Sequence, residues 1–206
     1  MPNAKYIFTI DLGTGGPKVA LISTSGKIFA HEFEPTELIL LPQGGAEQDP
    51  ADWWRAITEA TARLMNRNTV ALQDIVAVSC TAQWSGTVAV DARGEPLMNA
   101  IIWMDSRGQP YLDKIVGGPI RFEGYGIHKI PTWLRKTGGL PTNSGKDPIA
   151  HILYIREQHP EVYEKTHKFL EPTDWINLKL TGQRPHPGKF ERRCFCCRCR
   201  IGLLKD

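Results

Sequence analysis

Cysteine is almost missing from the first 183 residues of this 206-residue chain. Cys80 stands alone there, and Cys194, Cys196, Cys197 and Cys199 crowd into six positions near the end. One thiol in so long a body excludes a disulfide scaffold and fits a reducing compartment. Long apolar runs are missing too. Nothing approaches the roughly 20 residues of a membrane-spanning helix, so no membrane partner is expected. The opening MPNAKYIFTI lacks a basic segment, a long apolar stretch and a small-residue cleavage site. No signal peptide is expected, and the cytoplasm is the expected location. Positive charge is scarce in the body: residues 1–183 carry eighteen Lys/Arg against twenty Asp/Glu, while 184–206 carry seven against two. A mildly acidic body gives no sign of a nucleic-acid partner. There is no internal repeat, and with 41% hydrophobic and 23% charged residues the composition is that of an ordinary globular domain.

Two nucleotide-binding signatures are also missing. No GxGxxG opens a helix, so a dinucleotide fold is not supported. GLPTNSGKD, at Gly139–Asp147, is one residue too long for a P-loop and has Asp where Ser or Thr would bind the metal.

What is present begins with FTIDLGTGGPKVALIS, residues 8–23. Two apolar strands flank a turn of three glycines and a threonine. Gly13, Gly15 and Gly16 let backbone N–H groups come close to an anion, and Thr14 adds a hydroxyl. Asp11 would repel a phosphate directly, so its natural task is to hold Mg²⁺ through water. A plain hairpin whose turn needs glycine explains the same letters, and both readings stand.

Residues 5–34 read as an antiparallel meander of three strands, and 35–48 as a loop broken at LPQGG. A helix opens at Asp49-Pro50, with Trp53, Ile57, Ala60 and Leu64 on one face. IVAVSC reads as a buried strand, TVAVD as a short one, and NAIIWMDSR as extended in its apolar part. Residues 117–146 resist assignment. Helical stretches follow in DPIAHILYIREQH, PEVYEKTH and TDWINLKLTG, the last capped by Thr173 and stopped by Gly182. Between these strands lie Gln83-Trp84-Ser85-Gly86 and, further on, Trp103 and Asp105. Indole faces beside amide and carboxylate groups suit sugar recognition, the ring covering C–H groups and the polar atoms pairing with hydroxyls. Core tryptophans and surface turns are the alternative.

IDLGTGGPKVALIS, GGAEQDPADWW, IVAVSCTAQWSGTVAVDARGEPLMNAIIWMDSRG and HPEVYEKTHKFLEPTDWINLKLTG follow one another in an order that resembles the FGGY carbohydrate kinases, most of all the N-terminal domain of the xylulokinase branch, over residues 5–183. The resemblance implies an α/β, ribonuclease-H-like domain of the actin/hexokinase ATPase type, a mixed sheet flanked by helices. It implies ATP-dependent phosphorylation of a sugar or polyol such as a pentulose, with ATP and Mg²⁺ as cofactors. Asp11, with Gly13, Thr14 and Gly15, matches the metal- and phosphate-facing hairpin. Gln83, Trp84 and Ser85 match the sugar loop, where xylulokinases commonly have Gln-Met-His. Trp103 and Asp105 match the Trp-x-Asp segment beside the sugar. Gly15-Gly16-Pro17 before Lys18, and Trp84-Ser85 for Met-His, depart from the pattern and leave the sugar open.

The family's catalytic base is an aspartate a few residues past LTG, and the chain has no match for it beyond Gly182; no catalytic residue is assigned. Residues 1–183 are expected to be the sugar-binding domain, and 184–206 a basic, Cys-rich, disordered tail of non-homologous sequence, left by a frameshift or truncation. A metal site on C-x-C-C-x-C is the competing reading of that tail. A sugar-binding fragment without kinase activity is the alternative to the enzyme, and exposed inter-domain surface would favour self-association.

Overall fold

The computed structural model describes residues 4–182. The expectations for 184–206, its disorder, its cysteine cluster and its frameshift origin, lie outside the described residues. In chain order the elements are β1 (Tyr6–Gly13), β2 (Gly16–Ser23), β3 (Ile28–Phe33), β4 (Ile39–Leu41), β5 (Gly45–Gln48), α1 (Pro50–Asn66), β6 (Ile75–Ala82), β7 (Val88–Val90), β8 (Ala100–Ile101), α2 (Gln109–Val116), β9 (Arg121–Phe122), β10 (Tyr125–Gly126), α3 (Ile130–Thr137), α4 (Pro148–Gln158), α5 (Pro160–Lys165), β11 (Lys168–Leu170) and α6 (Pro172–Thr181). Two units divide them. The first is Met1–Leu38 with Gln48–Gln83, the second Ile39–Glu47 with Trp84 onward.

In the first unit the sheet order is β3-β2-β1-β6. β1, β2 and β3 pair antiparallel, as the meander predicts, and β6 pairs parallel to β1. The alternation of YIFTIDLG puts Phe8, Ile10 and Leu12 on one buried face with Val19 and Leu21 of β2. Helix α1 covers that face over β2 and β3. Its start is written in the sequence: the Asp49 carboxylate accepts from Ala51 N at 2.8 Å, and Pro50 takes the first turn. Trp53, Ala56, Ile57, Ala60 and Leu64 are buried, each large side chain worth roughly 1.5–3 kcal/mol. β6 departs from its reading as a buried strand. Val76 and Val78 are more than half exposed. Val78 pairs with the buried Phe8, but α1 lies over β2 and β3 and does not cover the β6 edge of that face.

In the second unit, β4, β5 and β8 form a three-stranded sheet. The loop read across 35–48 therefore contains two short strands, β4 and β5, pairing antiparallel from Ile39↔Glu47 to Leu41↔Gly45. β7 pairs with β11, and β9 with β10. The unassigned 117–146 holds the β9–β10 hairpin and α3. Leu112 and Val116 of α2, Trp133 of α3, and Ile149, Ala150 and Leu153 of α4 make one apolar cluster. Helix α6 ends where Gly182 takes a left-handed φ of 62°, as read; its N-cap is Glu171, not Thr173, because Pro172 at the first helical position starts the helix earlier.

Candidate functional site

The sequence-predicted residues divide between the two units. Asp11, Gly13, Thr14, Gly15 and Gln83 belong to the first; Trp84, Ser85, Trp103 and Asp105 belong to the second.

In the first unit the β1–β2 pairing closes at Gly13↔Gly16, leaving Thr14-Gly15 as a two-residue turn. Gly16 sits at φ 132°, and a Cβ there would lie 2.0 Å from the Glu34 carbonyl oxygen, so only glycine fits. Gly15 is exposed, and a Cβ added to it would meet nothing within 4 Å. The turn is thus open on the side where a ligand would approach. Asp11 is exposed two residues before Gly13. It pairs across the sheet with Lys18 on β2 and Thr81 on β6. Cross-strand partners share a face, so a carboxylate, an ammonium and a hydroxyl form one row opposite the α1-covered face. Lys18 and Thr81 were not among the predicted site residues; only the register brings them beside Asp11.

Behind the turn lies a buried amide, Gln48. Its Nε2 donates to Thr14 O at 2.9 Å and to Glu37 O at 3.2 Å, and its Oε1 accepts from Gln83 Nε2 at 2.7 Å. The Thr14 hydroxyl donates to Gln83 Oε1 at 3.2 Å. Gln83 is held further by its backbone N–H, which donates to Leu12 O at 2.7 Å. Gln48 sits in GGAEQDPADWW, but sequence alone assigned it no role, since its partners are 11 to 35 residues away. At Cys80, in β6, burial and the Asp11 charge push the thiol up to about 11, which disfavours the thiolate.

In the second unit Trp84 is 72% exposed and Trp103 43% exposed. Ser85 holds a left-handed φ of 57° between Trp84 and the buried Gly86, a conformation that costs a non-glycine residue and gathers at functional loops. Asp105 differs from both tryptophans. It is fully buried. Its Oδ1 accepts from Arg107 N at 2.9 Å, and its Oδ2 from Ala46 N and Arg107 Nε, each at 2.9 Å. Arg107 also donates to Glu47 Oε1 at 2.6 Å and to Tyr154 OH at 3.0 Å, and stacks 4.4 Å over the Tyr154 ring. Burial works against the guanidinium charge, but Asp105 and Glu47 outweigh it and hold it protonated. Asn99 Nδ2 donates to Glu47 Oε2 at 3.2 Å. The Asp105 carboxylate is thus held by its own chain, where it fixes the loop that carries Trp103. His151 on α4 backs this loop. Its Nε2 lies 3.3 Å from Asp105 O, which can only accept, so Nδ1 is the acceptor for the Thr87 hydroxyl at 3.1 Å. Burial pushes its imidazole down to about 4 against the pull of Asp105.

For Mg²⁺ the donor set is small. The ion keeps much of its water and binds through one or two carboxylates plus phosphate oxygens, and one exposed Asp11 beside an open turn fits that habit. No group of three or more His, Cys, Asp and Glu placed for a metal occurs among the described residues. No described helix is long and apolar enough to cross a membrane.

The profile of the FGGY family of carbohydrate kinases, N-terminal domain, matches residues 6–187, a little past the limit at 183 expected from the motifs. The chain is 32% identical over 179 residues to the xylulose kinase of Bacillus subtilis (strain 168), covering 86% of this chain and 33% of that protein. It is similar in structure to ligand-bound xylulose kinase from Lactobacillus acidophilus (TM-score 0.72, 26% identity, 87% of this chain, 34% of that one). Gluconate kinase from the same organism is similar to the same degree (TM-score 0.72, 25% identity, 87% and 34%). The chain thus spans about a third of the length of the relatives it matches. The mixed sheet with flanking helices is the actin/hexokinase-like fold of these kinases. This chain belongs to the FGGY family of carbohydrate kinases, and the part of the family it matches is the N-terminal domain.

Proposed function

We propose that the chain, over residues 1–183, is the sugar-binding part of an ATP-dependent carbohydrate kinase acting on a pentulose, a polyol or a related sugar acid. The observation that carries this reading is the open Thr14-Gly15 turn with Asp11, Lys18 and Thr81 in one exposed row beside it. Mg²⁺ and ATP, when bound, supply the transferable phosphoryl group and neutralise its charge. Asp11 would hold the hydrated ion. Lys18 and the Gly15 N–H would face phosphate oxygens. Trp84 and Trp103 of the second unit would cover the C–H surface of the sugar. Asp105 would act at one remove, by fixing the loop of Trp103.

A second reading, sugar binding without phosphoryl transfer, has one observation in its favour. Transfer to a hydroxyl needs a base for its proton. Of the two carboxylates among the predicted site residues, Asp11 would be taken up by the metal, and Asp105 is paired with Arg107.

A coupled assay of ATP consumption with D-xylulose, gluconate, glycerol and a panel of pentoses separates the readings, run beside calorimetry with the same compounds. Sugar-dependent turnover supports the kinase. Calorimetric binding with no turnover supports sugar binding by this chain, which both readings share, and gives no support to transfer by the chain alone. No turnover and no binding reject both.

A further inference from the structure

We infer that Gln48 is the positioning residue that aims the turn of the β1–β2 hairpin at its anionic ligand; this rests on reading that turn as the phosphate site. The argument starts from valence. Thr14 O and Glu37 O can only accept, so the Gln48 atom facing them at 2.9 and 3.2 Å is its Nε2. Its Oε1 therefore faces Gln83, which must donate Nε2 at 2.7 Å. Gln83 then turns its Oε1 to Thr14, whose hydroxyl is the donor at 3.2 Å. Two backbone carbonyls thus dictate the orientation of both amides and the direction of the Thr14 proton.

The same clamp sets the peptide between Thr14 and Gly15. That unit is planar and trans, so its C=O and N–H point in opposite directions. With Thr14 O drawn inward to the buried Gln48, the Gly15 N–H points the other way, from a residue that is itself exposed and has open space where a side chain would be. The adjoining carbonyl, Gly15 O, is drawn in by Thr36 N at 3.2 Å. The Thr14 hydroxyl proton is given to Gln83 Oε1 and is not offered to a ligand. Phosphate is received by the backbone of Gly15, not by the threonine side chain.

The test uses the full chain, labelled with ¹⁵N, and the variants Gln48→Met and Gln48→Glu, with circular dichroism to confirm the fold. In Gln48→Met the Gly15 amide and the Gln83 side-chain NH₂ resonances should both move or broaden, and Mg·ATP should bind about tenfold more weakly, as judged by the Gly15 shift. That loss corresponds to one well-placed hydrogen bond of about 1.4 kcal/mol. Gln48→Glu adds a pH handle. While protonated, the introduced carboxyl still donates to one carbonyl and accepts from Gln83, so the Gly15 resonance should stay native-like at acid pH and depart as pH rises. Unmoved Gly15 and Gln83 resonances in a folded Gln48→Met chain overturn the proposal. A wild-type chain that ignores Mg·ATP overturns the phosphate reading of the hairpin instead, and Gln48 is then judged on those resonances alone. Should Gln48→Met not fold, the pH response of Gln48→Glu decides, and a Gly15 resonance indifferent to pH overturns the proposal.

Discussion

Arg107 folds back on Asp105, two residues before it: its backbone N–H donates to Oδ1 and its guanidinium Nε to Oδ2, both at 2.9 Å. With Ala46 N on the same carboxylate, this pair pins the WMDSR loop to β5. Removing one partner of a buried pair leaves the other uncompensated, at a cost of about 3–5 kcal/mol. Asp105→Ala should therefore unfold at clearly lower urea than wild type, and Asp105→Asn should lose less. Urea midpoints check this. Unchanged stability with lost sugar binding would make Asp105 a direct sugar ligand after all.

His151 should make the protein acid-sensitive. Its folded pKa, about 4, lies below the ordinary 6.5. Between those values the unfolded chain binds a proton that the folded chain does not, so stability should fall as pH drops from about 6.5 toward about 4. The groups facing the ring, Asp105, Asp147 and Arg107, do not reverse the sign. His151→Gln keeps a donor and an acceptor without the titration, and its urea midpoint should vary less over that window. An equal slope in both proteins would assign the acid sensitivity elsewhere.

Gly15 and Gly16 should separate stability from binding. Gly16→Ala forces a Cβ into the Glu34 backbone at φ 132°, and a strain of about 1–3 kcal/mol should appear as a lower melting temperature. Gly15→Ala meets open space. It should melt within a degree or two of wild type and weaken Mg·ATP. Equal melting losses in the two variants would contradict the geometry of the turn.

Trp84 and Trp103 are exposed far beyond the habit of core tryptophans. Trp84→Ala should change stability by no more than about 0.5 kcal/mol, as surface exchanges usually do, and Trp103→Ala, at the more buried position, by clearly more. Each should reduce calorimetric binding of the sugar found in the panel by tenfold or more. Sugar binding unaffected by both exchanges would remove the stacking platform from the site.

Much of this was legible from local patterns. Alternation in YIFTIDLG and KVALIS predicts β1 and β2, Asp49-Pro50 marks the start of α1, and its 3.6-residue stripe names the buried Trp53, Ile57, Ala60 and Leu64. These follow from the local chain, because periodicity and capping act within a few residues. Tertiary structure alone decided the rest. It placed Gln48 behind the hairpin and Lys18 and Thr81 beside Asp11, and it enclosed Asp105 with Arg107, Glu47 and His151. It also left Val76 and Val78 uncovered on a strand whose letters read as buried. Each of these depends on which element lies against which. A hydrogen bond between residues 34 or 60 positions apart leaves no trace in the spacing of either one.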